Sequence, residues 1–152
     1  MFPSLSIHAY VLHSAGDDDD ARTLVREILE RLDAAGPVLL IAASAEMITT
    51  WLEVVGQDSL KALLESHRAE TKWLTAARAI AEGALDQALE LYHEVESLPD
   101  VALMHRFIAE SLVASGRRVE ADTHLAEALA FYRSVGATHF IRQAEQLLPA
   151  SA

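Results

Sequence analysis

Glu90 and His93 stand three residues apart, as E-x-x-H. On a helix that spacing puts a carboxylate and an imidazole on one face. A carboxylate-bridged di-iron centre would need a second such pair and two further glutamates on facing helices. No second E-x-x-H occurs in the chain. His8 and His13 are five apart, the wrong interval for one face. His67 and Glu70 share a face only if one helix spans them, and a helix boundary is expected there. The seven histidines form no cluster along the sequence, so no metal site is expected. Nucleophilic chemistry is equally unsupported. There is no Gly-x-Ser-x-Gly elbow and no cysteine, and no nucleophile, base and orienting group can be assembled. The reading is a non-enzyme with no catalytic residue and no cofactor.

Asp17 to Asp20 could be taken for a calcium loop. Such a loop needs alternating ligands, a central glycine and a glutamate at its twelfth position, where this chain has Ile28. The run instead reads as an N-cap followed by first-turn carboxylates facing the helix dipole.

The elements around these residues are all helical. Ala and Leu together make up 49 of 152 residues while Gly and Pro make up 10, a composition rich in helix formers and poor in turn residues. The glycines fall at breaks in the apolar periodicity: Gly16, Gly36, Gly56, Gly83, Gly116 and Gly136. Gly is favoured just past a helix end and Pro at a helix start, where Pro3, Pro37 and Pro99 stand. The punctuation predicts about nine helices, over 4–15, 18–35, 38–55, 58–67, 69–82, 84–97, 100–115, 118–135 and 138–148, and no strand. No stretch reads as a linker, so residues 1–152 are taken as a single domain. The most apolar run, 38–45, is too short to span a membrane. Residues 1–16 lack the basic residues and apolar core of a secretory signal. A soluble, cytoplasmic protein is expected. The net charge of −11, with no basic cluster larger than Arg117–Arg118, argues against nucleic-acid binding.

An internal repeat underlies the punctuation. The small residues Ala21, Ala88 and Ala121 open the second helix of each pair. Val25, Tyr92 and Leu125 follow four residues on, and Ile28, Val95 and Ala128 seven residues on. Gly16, Gly83 and Gly116 lie five residues before, and Ala9, Ala76 and Ala109 twelve before. The unit is 33 to 34 residues, with a displaced copy around Gly56. Small residues let two antiparallel helices approach, and the larger ones fill the space against the next pair.

This spine resembles the tetratricopeptide-repeat family in a degenerate form, most clearly over 70–137. The family's Trp, Leu-Gly and closing Pro are mostly absent, though Pro99 stands near the closing position. The resemblance implies antiparallel helix pairs stacked as a right-handed solenoid. The segments ELYHEVESLPD and AESLVASGRRVEADTHLAEALAFYRSVGATHFIRQAEQLL are also similar to the C-terminal tails of large bacterial regulators, of the kind in which an AAA-type ATPase precedes a helical array. None of that family's catalytic motifs is present, and there is no GxxxxGK[ST] loop. The resemblance implies a non-catalytic terminal piece of a signalling or transcription regulator.

In the resembled family the first helix of each pair lines a concave groove. The groove positions would be Ser6, Tyr10 and His13 in one copy, Glu70, Trp73, Ala77 and Ile80 in the next, and Leu103, Arg106, Glu110 and Val113 in the last. Tyr10, His13, Glu70, Trp73, Arg106 and Glu110 are therefore the candidate binding residues, for a protein or peptide or for another domain of a parent chain. Two other readings stand beside this one. Phe2, Leu5 and Tyr10 open the chain as an uncapped apolar end that would drive homodimer formation at high concentration. A small-molecule sensor would need an apolar pocket with convergent polar groups.

Overall fold

In the computed structural model, the described residues are 8–9, 11–13, 15–35, 44–66 and 70–148. Among them the chain is helical throughout its regular structure and has no strand. Residues 8, 9 and 11–13 are helical. Eight bounded helices follow: α1 Asp18–Ala35, α2 Ala45–Val55, α3 Gln57–Ser66, α4 Lys72–Glu82, α5 Leu85–Glu94, α6 Leu98–Ala114, α7 Arg118–Ser134 and α8 Thr138–Gln146. Phe2, Leu5 and Tyr10, which carried the dimer expectation and one groove position, lie outside the described residues.

The helix joints repeat. Gly83 has φ 80° and ψ 10°, the left-handed conformation that costs glycine nothing. Its N–H bonds to the Ile80 carbonyl, and the next N–H, of Ala84, reaches back to Ala79 at 2.8 Å. This 6→1 bond closes a Schellman end. The same pair of bonds recurs at Gly16–Asp17, Gly116–Arg117 and Gly136–Ala137, and again at Glu96–Ser97. Glu96 is the non-glycine of the set, at φ 56°. After each of the glycine joints the helix begins two residues on, at Asp18, Leu85, Arg118 and Thr138. Gly56 differs. Its ψ is 164°, its N–H bonds only to the Leu52 carbonyl, and α3 starts at the next residue. The displaced copy therefore has a tighter joint, without the left-handed turn.

Burial follows the repeat. Ala9, Ala76 and Ala109, and likewise Ala21, Ala88 and Ala121, are fully buried. So are Val25, Tyr92 and Leu125. Of the third set, Ile28 and Ala128 are buried and Val95 is partly exposed.

Helix starts were less legible. Pro37 predicts a helix over 38–55; its 38–43 part lies outside the described residues, and α2 runs Ala45–Val55. Ser44 is extended, and its Oγ accepts from the Met47 N–H, an N-cap that satisfies one of the first-turn donors. Thr71 caps α4 in the same way, accepting from Leu74, so that helix starts at Lys72 and not at residue 69. The aspartate run behaves as expected. Asp17 precedes α1, and Asp18, Asp19 and Asp20 fill its first turn.

The chain divides into two compact units, Met1–Leu91 and Tyr92–Ala152, with the division falling inside α5. In the first unit, Ile48, Trp51, Leu60, Leu64, Leu74 and Ile80 form the bulk of the core. Side chains bridge its helices through backbone carbonyls: Arg22 Nε donates to Val54 at 3.1 Å, and Gln57 Nε2 to Ala81 at 2.8 Å. In the second unit, α6 and α7 pack along their length and α8 packs on α7. Met104, Ile108, Leu112, Leu125 and Leu129 fill that core, and Tyr132 stacks on Phe140 with ring centroids 5.3 Å apart.

Candidate functional site

The residues singled out from the sequence go to different surroundings. His13 stands between two carboxylates of the first unit. Its Nδ1 lies 2.9 Å from Asp18 Oδ1, and its Nε2 lies 2.8 Å from Glu53 Oε2. Both nitrogens face acceptors, so only the doubly protonated ring donates to both. Burial alone would lower the His13 pKa, but the two hydrogen bonds and charges of Asp18 and Glu53 outweigh it and raise the value above 6.5. His13 is thus an ion-pair bridge between the segment before Gly16, the start of α1, and α2. A raised folded-state pKa gives stability that is complete below pH 6.5 and disappears as pH rises through the folded value. The stability lost in His13→Gln should accordingly be larger at pH 6 than at pH 8.5 in urea titrations; an equal loss at both would show that the bridge does not form.

Glu70 is exposed, just ahead of α4, and Trp73 is half-buried in its first turn. Three other predicted groove positions are core. Ala77 is fully buried, Ile80 is 1% exposed and Leu103 is 5% exposed. These helices cover more than one face, so a frame that assumes one open side puts core residues in the groove.

In the second unit, α6 carries the remaining candidates. Its start is set by Ser97, Pro99 and Asp100. Pro99 occupies the first turn, where a missing N–H costs nothing. Ser97 Oγ donates to Asp100 Oδ2 at 2.5 Å. Asp100 is buried, and its charge acts on the buried Tyr92. Burial, and secondarily the Asp100 charge, push the Tyr92 phenol far above its ordinary 10. The hydroxyl stays protonated at any physiological pH.

Two turns further on, Arg106 and Glu110 form an i,i+4 ion pair through Arg106 Nη1. The Arg106 side chain is 13% exposed and that of Glu110 32%. Arg106 Nε is buried and has no hydrogen-bond partner among the described residues. A guanidinium presents its donors as a planar fork suited to a carboxylate. The structure therefore brings two of the six candidates, Arg106 and Glu110, into one pair and leaves part of the fork unused.

Sequence spacing missed another constellation on the same helix. His105 Nδ1 lies 2.8 Å from His124 Nδ1 of α7, with ring centroids 5.0 Å apart. The His93 ring, on α5, meets His105 edge-on at 6.3 Å. Three of the seven histidines thus gather from three successive helices. A signal for the closer pair was present. Ala109 and Ala121 flank the Gly116 joint, and His105 and His124 lie about one helical turn further out on either side. Burial, then the neighbouring His124, lower the His105 pKa, against a smaller opposing effect of Glu127. Among the described residues no group of three ligand-type side chains is arranged to hold a metal ion.

No helix among the described residues is long and apolar enough to cross a membrane. No family model matches this chain, and neither the curated proteins nor the solved structures give a significant match.

Proposed function

We propose that this chain is a non-catalytic helical-repeat module that binds a carboxylate-bearing, extended segment of another protein, or of another domain of a parent chain. The observation that carries the reading is the repeated joint. The same left-handed turn, the same 6→1 hydrogen bond and the same buried small residues recur at Gly16, Gly83 and Gly116. Stacked units of this kind present extended surfaces from rigid elements, and tetratricopeptide-like arrays use such surfaces to hold peptides. Arg106 supplies the chemistry. Its guanidinium is held by Glu110 and keeps a buried, unpartnered Nε. A peptide carboxylate would pair with the exposed part of that guanidinium, beside Glu110, as a charge-assisted contact. The resemblance of the last third to the tails of bacterial regulators supports a role in signalling or transcription control.

The test is selection of binding peptides from a random library on the purified chain, followed by titration calorimetry. Hydrogen bonds to charged groups contribute about 1.5–3 kcal/mol, so Arg106→Met should weaken selected peptides about tenfold or more. The melting temperature should stay near wild type, because methionine keeps the apolar stem. Selected peptides should be enriched in Asp, Glu or a free C-terminus. Peptides that bind Arg106→Met as well as wild type, or a failure to select any, would remove this reading.

A further inference from the structure

Two of the ring nitrogens in the His93–His105–His124 cluster face each other across the α6–α7 seam. A single proton lies between His105 Nδ1 and His124 Nδ1, since at 2.8 Å one nitrogen must donate and the other accept. The neutral pair satisfies this with one Nδ1–H ring and one Nε2–H ring. One added proton, placed on a distal Nε2, leaves the bond intact and makes it charge-assisted. A second proton has nowhere to go. It puts two N–H groups and two positive charges head to head, with the His93 ring edge-on to His105 at 6.3 Å.

Among the described residues, His93 of α5 and His124 and Glu127 of α7 act on His105. Glu120 of α7 interacts with His124 but is already engaged by Arg117 through two hydrogen bonds. Glu127 is exposed, so solvent screens its favourable effect on charge at His105. On the same two helices, Met104, Ile108 and Leu125 are buried.

We propose that His93, His105 and His124 form an acid-sensitive latch on the α6–α7 hairpin, closed while His105 and His124 share a proton and opened when each ring carries its own. The sign follows from proton linkage. The unfolded chain binds a proton on each histidine as pH falls through about 6.5. The closed hairpin declines at least one of them, so closure weakens with acidification. The lowered His105 pKa has the same sign. For each declined proton the opening equilibrium rises by up to tenfold per pH unit below that value. The His13 bridge of the first unit has the opposite sign, so acid loosens the second unit while tightening contacts in the first.

Hydrogen exchange of the full-length chain, corrected for intrinsic rates, tests this between pH 7.5 and pH 5. Peptides covering 98–134 should lose protection about tenfold or more over that interval, while those covering 15–35 and 44–66 should not. The double variant His105→Gln/His124→Gln, which retains hydrogen-bonding capacity without titrating, should flatten the dependence. An unflattened loss in a folded double variant would overturn the latch. A second measurement needs no variant: nitrogen chemical shifts of the imidazoles report each protonation in the wild-type protein. In the folded state at pH 5.5 a single proton should still be shared between His105 Nδ1 and His124 Nδ1. Both Nδ1 atoms carrying their own proton with the hairpin still closed would overturn the proposal.

Discussion

Trp51→Ala should destabilise the first unit by about 3–5 kcal/mol, the range for removing a buried aromatic. Trp51 is 1% exposed and is the largest fully buried side chain among the described residues. The loss should appear as a lower urea midpoint with an unchanged slope, since the residue contributes packing and not a change in exposed surface. Trp51→Phe separates packing from polarity. The indole Nε1 is buried with no hydrogen-bond partner among the described residues, and such an orphan costs about 1–3 kcal/mol. Phenylalanine removes that donor while keeping most of the ring, so its cost should stay under about 1.5 kcal/mol. A Trp51→Phe loss close to that of Trp51→Ala would mean that the indole nitrogen has a partner after all.

The second large effect concerns the repeat. Ala21→Leu, Ala88→Leu and Ala121→Leu should each cost about 1–3 kcal/mol, because every one of these alanines is fully buried and a larger side chain must displace its neighbours. The three positions are related by the repeat, so the losses should be similar. Val119→Leu, two residues from Ala121 but 82% exposed, should change stability by less than about 0.5 kcal/mol. Denaturant titration of the four variants checks the set. A tolerated leucine at any of the three alanines would show that the small residue there does not set helix approach, and the repeat would lose that copy.

What the sequence by itself determined about this protein is local. Helix type, the Gly83, Gly116 and Gly136 joints and the first-turn aspartates of α1 depend on residues a few positions apart. Backbone propensity and capping chemistry decide them before any tertiary contact forms. The buried set Ala21, Ala88, Ala121, Val25, Tyr92 and Leu125 was legible for a related reason, since one helical period repeated at one offset leaves few choices for the inner face. Where a threonine cap competed with a composition cue, as at Thr71, the cap decided the boundary.

Tertiary structure decided which of several equivalent residues does what. Trp51 and Trp73 are the same residue type on neighbouring helices, and only the packing of α2, α3 and α4 buries the first completely and the second in part. His13 meets Glu53, forty positions away, through its second nitrogen, a contact that no sequence spacing announces. His93, His105 and His124 carry no common helical spacing, and their rings meet only across the joints at Glu96 and Gly116. A periodic pattern records which face of each helix turns inward, whereas proximity between helices depends on the angle and length of each turn, which act only in three dimensions.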